Sequence, residues 1–183
     1  MKTLLGIACL LLAGCSAVVM TQPFPNSRLS GEEQDKLTGS WRIAGEEEEA
    51  FTGIYHVAFN SNGVPQLAVV DFEDDEFKLI KVPITVNQQN DKYYVSVQED
   101  EADTNSPYFF MEFKATSQGV VLWLPDKDAL GGMVEAGILE GGYKDGKKKN
   151  NLRLTSPATN ILELITTEYE VFDYKEPILM QRL

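Results

Sequence analysis

The sequence predicts one mainly β domain, an antiparallel meander curled into a partly open barrel and accompanied by two or three short helices. Three observations predict it. Segments 39–44, 53–60, 64–72, 76–86, 93–98, 108–115 and 120–124 are rich in β-branched and aromatic residues, and turn-forming residues separate most of them. Apolar and polar residues alternate with period two, clearest at Tyr93, Val95 and Val97 against Tyr94, Ser96 and Gln98, and at Phe109, Met111 and Phe113 against Glu112 and Lys114. Each of these strands is therefore expected to bury one face and wet the other. Finally, the connections are only a few residues long, with Asn62-Gly63 the sharpest hairpin signal, and strands joined so closely must be antiparallel neighbours.

The remaining elements follow in chain order. Residues 15–29 hold Pro23, Pro25 and Asn26 with no apolar period and read as an extended tether, so the domain is expected to span 30–183. Ser30-Gly31-Glu32-Glu33 is a capping box: the Ser30 hydroxyl can take the backbone N–H of Glu33 while the Glu33 carboxylate reaches back, starting one or two helical turns. After the meander, Asp126 can cap a helix with Leu130, Met133 and Val134 on one face and Gly137 at its end. A hairpin should follow, with 138–143 and 151–155 flanking the polar turn 144–150. Ser156-Pro157 then reads as cap and first helical residue, with Ile161, Leu162 and Ile165 as the buried stripe, and 177–183 as a last strand.

The chain opens with Lys2 and an apolar run over 4–12, which is too short to span a bilayer, and continues Leu12-Ala13-Gly14-Cys15. Residues 1–14 read as a signal peptide. The tetrad resembles the lipobox of bacterial lipoproteins, in which small residues precede a cysteine whose thiol receives diacylglycerol. The resemblance implies cleavage before Cys15, palmitate and related acyl chains on that residue, and attachment to a membrane. Ser16 in the next position resembles the signal that sends such proteins to the periplasmic face of the outer membrane. Cleavage would also remove Cys9, so the exported chain would have no disulfide and no thiol nucleophile, and its stability must come from its core. The chain also resembles small Gram-negative lipoproteins, a likeness that carries no activity.

The formal net charge is −12, and acidic residues cluster at 46–49, at 73–76, and at 99–101 with Asp103, between the apolar segments. Such a field repels phosphate backbones, so nucleic acid is not an expected partner. The runs read as solvated loops, weak calcium sites being the alternative. Lys147-Lys148-Lys149, with Lys144 nearby, is the one basic cluster and reads as a hairpin tip that could touch an anionic headgroup or an acidic partner.

A search for chemistry leaves no catalytic, metal-binding or cofactor-binding residues. His56 is the only histidine, placed in a strand between residues that face the other way, and no Gly-x-Ser-x-Gly elbow exists to present a nucleophile to it. A zinc site lacks a second histidine and a free thiol. Asp126-x-Asp128 begins like a calcium loop, but Leu130 and Gly137 fall where further oxygen ligands are needed. No glycine-rich phosphate loop occurs. The chain is therefore not expected to be an enzyme, and no cofactor is expected.

Leu37-Thr38-Gly39-Ser40-Trp41 at the start of the first predicted barrel strand resembles the Gly-x-Trp signature of lipocalins. In that family the Trp plugs the closed end of an up-and-down barrel and an Arg near the C-terminal strand packs over it. The resemblance implies that Gly39, Trp41 and Arg182 come together as a structural signature. It also implies a lipocalin-like β-barrel that binds apolar ligands. The Thr-Asp-Tyr turn motif of that family is not found. The expected function is thus a lipid-anchored, non-enzymatic module for a small apolar or amphipathic ligand, lined by strand aromatics such as Tyr55, Phe59, Phe110 and Trp123. The alternative is an interaction or scaffold lipoprotein that holds an envelope protein through its acidic loops or an edge strand.

Overall fold

The computed structural model describes residues 17–44, 53–73, 76–100, 102–116, 118–147, 151–167 and 169–183. The predicted signal peptide, Cys15 and the acidic run 46–49 lie outside these residues.

The fold is mainly β, with a single branched sheet of twelve strands and three short α-helices among the described residues. An antiparallel series forms its body: β2 (Gly39–Ile43), β3 (Ile54–Phe59), β4 (Pro65–Glu73), β5 (Glu76–Val82), β6 (Ile84–Gln89), β7 (Lys92–Gln98), β8 (Tyr108–Ala115), β9 (Gly119–Trp123) and β12 (Ile178–Arg182). The strand β12 lies between β9 and β2, with Arg182 opposite Trp41, so the last strand joins the beginning of the meander to its end. The sheet bends at Pro83. Before it β5 pairs with β4, and after it β6 continues in the same direction but pairs with β7. Among the described residues hydrogen bonding does not complete the ring between these halves, and the barrel is partly open. Asn60 and Gly63 form the turn between β3 and β4, where Gly63 has a φ of 74° and the Asn60 side chain accepts from the backbone of Asn62 and Val64. This is the turn that Asn62-Gly63 predicts.

The helix α1 (Gly31–Leu37) starts on the expected capping box, with the N–H of Ser30 donating to Glu33 at 2.7 Å and that of Glu33 to the Ser30 hydroxyl at 3.3 Å. A second helix, α2 (Lys127–Glu135), starts where Asp126 accepts from the N–H groups of Asp128 and Ala129, and Gly137 follows its end with a φ of 71°. The hairpin β10 (Gly141–Tyr143) and β11 (Leu152–Leu154) precedes α3 (Ala158–Thr167). Ser156 does not cap α3 as expected. Its hydroxyl instead accepts from the N–H of Glu140 at 2.7 Å, fastening the start of the hairpin to the residue before Pro157.

Two expectations are corrected. Residues 17–29 are not a tether: β1 (Val18–Met20) lies between β11, to which it is parallel, and the first residues of β8. Its side chains are all buried, as are Phe24 and Leu29. Farther on, Asn26 and Ser27 lie along β6, where Asn26 accepts from the N–H of Val86 and the N–H of Ser27 donates to the carbonyl of Val86. The physical reason is burial. Val18, Met20 and Phe24 supply apolar surface to a core that the meander does not cover by itself.

The second correction concerns the faces of β7 and β8, both of which are buried. Val95, Val97, Met111 and Phe113 face the barrel interior, while Tyr94 and Phe110 pack beneath α2, α3 and Phe172 in a separate core. Ser96, Gln98 and Glu112 therefore lie buried on a face expected to be wet. They are not orphaned: the Ser96 hydroxyl accepts from the N–H of Phe24, Gln98 donates to the carbonyl of Asp103, and Glu112 accepts from Tyr174 and Lys92.

Candidate functional site

The interior of the barrel holds a cavity of about 140 Å³. Alternation along the strands builds it. Tyr55, Val57 and Phe59 of β3 point inward while His56 points out, and the inward sets of β6, β7, β8, β9 and β12 complete the wall. The wall is apolar throughout, with Trp41 and Tyr55 carrying the only side-chain nitrogen and oxygen atoms among the lining residues. The lining divides by exposure. Leu37, Trp41, Tyr55, Val86, Val97, Met111, Phe113 and Val120 are buried, whereas Val57, Phe59, Leu67, Ile84, Val95, Leu122, Ile178 and Met180 are only half-buried. Apolar side chains that face inward and still meet solvent mark the accessible side of a hollow core.

At one end the cavity is floored by Leu37 of α1 and by Trp41 of the predicted signature. Trp41 is 3% exposed and its indole N–H donates to the carbonyl of Leu37 at 3.0 Å. The Arg182 guanidinium lies 5.0 Å from the Trp41 ring centroid and donates to the backbone carbonyls of Asp35, at 3.1 Å, and of Thr38. Gly39 has a φ of 145°, and a Cβ there would meet Arg182 Nε at 3.2 Å, so a glycine both permits this backbone and leaves room for the guanidinium. The structure thus brings Gly39, Trp41 and Arg182 together.

A second set of contacts fixes α1 over this end. Glu33 accepts from the Tyr93 hydroxyl and, at 3.0 Å, from Gln88. The hydrogen bond from Tyr93, followed by those from Ser30, holds the Glu33 carboxyl down at about 2, and the same contact raises Tyr93 to about 12.

Of the four aromatics expected to line a pocket, Tyr55 and Phe59 do so. Phe110 belongs to the core beneath the helices, and Trp123 packs on the margin of that core against Tyr174, with ring centroids 5.5 Å apart. The valines and methionines of the wall were readable only as the inward sets of alternating strands, because nothing in their chemistry separates a lining residue from a packed one. His56 lies outside the cavity, its Nδ1 3.0 Å from the Ser40 hydroxyl. Among the described residues no group of three or more His, Cys, Asp or Glu side chains is placed to hold a metal ion. What the wall can do chemically is to take an apolar group out of water.

Compared with family models, with curated proteins and with solved structures, the chain matches none.

Proposed function

We propose that this chain is an outer-membrane lipoprotein, anchored through lipid on Cys15 at the periplasmic face, whose domain is a non-enzymatic, lipocalin-like binding module for a small apolar or amphipathic ligand. The observation that carries the ligand-binding reading is the cavity, whose wall is apolar and whose lining side chains are half of them reached by solvent. Its volume of about 140 Å³ sets the scale. An engineered cavity of about 150 Å³ with a wall of Leu, Ile and Phe accepts one benzene ring. One ring or a short run of methylenes therefore fits inside, and a longer chain would extend through the accessible side. Hydrophobic transfer favours such entry by about 0.8 kcal/mol per buried methylene.

The test is native mass spectrometry of the full chain purified from its own envelope, together with Val57→Trp. Val57 is half-buried on the wall, so an indole placed there can fill the cavity. The expected result is a small apolar mass retained by the wild type and lost from Val57→Trp, while thermal unfolding stays cooperative in both. Equal retention by the two, or none by either, removes the ligand-binding reading.

The scaffold reading is favoured by one observation. Among the described residues β5 pairs only with β4, and on its outer face Phe77 is 73% and Leu79 67% exposed, an apolar edge suited to an added strand. A co-purifying protein in the same spectra, released by Leu79→Lys, would select this reading.

A further inference from the structure

The strand directions sort the connections of the barrel between two ends. Because all barrel neighbours are antiparallel and β5 and β6 run the same way, the β2–β3, β4–β5 and β7–β8 connections leave from one end. By sequence these three connections carry the acidic runs, with Glu76, Glu99, Asp100 and Asp103 among the described residues. At the other end lie the start of β2, α1 and Arg182.

β1 runs antiparallel to the first two residues of β8, beside the β7–β8 connection, with its N-terminal side directed toward the α1 end. β11 is parallel to β1 and β10 antiparallel to β11, which puts the turn between β10 and β11 on that same side. Direct hydrogen bonds join the two features. The N–H of Ala17 donates to Asn151 Oδ1 at 3.1 Å, and the N–H of Lys144 donates to the carbonyl of Asn151 at 2.9 Å. Lys144 and Lys147, the described members of the single basic cluster of an acidic chain, therefore stand beside the point at which the chain enters the domain, two residues after Cys15.

We propose that the turn 144–147 is a second membrane contact, binding the anionic headgroups of phospholipids at the surface in which Cys15 is anchored. This rests on the lipid-anchor reading above. Charge complementarity selects the occupant: anionic headgroups attract Lys144 and Lys147 and repel the acidic runs from which the turn is directed away, which by sequence hold twelve carboxylates against the four of Glu32, Glu33, Asp35 and Asp91 at the α1 end, so the net effect turns the domain the same way. A short link from the lipid keeps the turn at the surface, where the effective concentration of headgroups is high.

The experiment uses the full lipidated protein in vesicles of pure phosphatidylcholine and in vesicles containing phosphatidylglycerol. Flotation reports the anchor, and lysine acylation read by mass spectrometry reports the contact. Floating with both vesicle types is expected. Lys144 and Lys147 should be acylated about fivefold more slowly on the anionic vesicles, an effect that added salt reverses, with Lys175, which precedes the start of β12, unchanged. Flotation with equal acylation on the two vesicle types, or protection already complete on phosphatidylcholine, overturns the headgroup contact and leaves the anchor standing. Failure to float with either overturns both.

Discussion

Trp41 occupies the floor of a core, and its removal takes away both apolar contact and the indole hydrogen bond to Leu37. Trp41→Ala should therefore cost about 3 to 5 kcal/mol in chemical denaturation. Arg182 is exposed, and its stacking on the indole is worth about 0.5 to 2 kcal/mol. Arg182→Ala should cost less than Trp41→Ala, and the double mutant should be coupled by more than about 0.5 kcal/mol; strict additivity would show that the stacking contributes nothing. This contact was expected from the Gly-x-Trp resemblance, with Gly39-x-Trp41 at one end of the barrel segment and Arg182 at the other, and the pairing of β2 with β12 brings them opposite. Phe110 and Trp123 were not, because Phe110 shares the face of Glu112 and Lys114, which alternation assigns to solvent, and β9 is apolar on both faces. The outer core beneath the helices claims them.

At the scale of elements, α1 is a short helix whose position depends on its first turn. Glu33 serves three donors, Ser30, Gln88 and Tyr93, which tie the cap to the β6–β7 hairpin. Its carboxyl titrates near 2 in the fold against an ordinary value of 4.5, so the stabilisation is complete above 4.5 and is lost as the pH falls through about 2. Glu33→Gln should lower stability at neutral pH and flatten the acid limb of a stability profile between about 4.5 and 2; a parallel profile would show that the carboxylate has no such part. The boundaries of α1 and α2 were readable because capping is local: Ser30, Asp126 and Gly137 meet partners within a few residues. β1 was not, since three residues, Val18-Val19-Met20, are too few to show a period and their partners lie at 108–109 and 152–154. Ser156 misled for a related reason: a nearby backbone offered its hydroxyl a better use than the helix behind it.

For the whole molecule, the segment 17–29 belongs to both cores, Val18, Met20 and Phe24 to the outer and Leu29 to the inner. A chain beginning at Ser30 should lose these contacts, the cover over β6 and the strand between β8 and β11 together. That truncation should unfold at a denaturant concentration well below the full domain's, and the full domain should resist proteolysis throughout 17–29. Cleavage within this segment that left a stable core starting near Ser30 would restore the tether.

Partners so far apart in sequence impose an order of assembly. In a chain made from its N-terminus, residues 18–20 appear early but find their parallel neighbours only when 152–154 have been made, and Trp41 meets Arg182 last of all. The local hairpins β3–β4 and β7–β8 can form in the meantime, since closing a short loop takes less entropy than closing a long one. The strand β1 is thus completed late, with β8 available to it well before β11. Phe24 finds Tyr94, Ser96 and Phe110 first, while Val18, Val19 and Met20 gain β8 and then wait for the other half of their cover. That stretch stays without its full cover until residues 152–154 have been made.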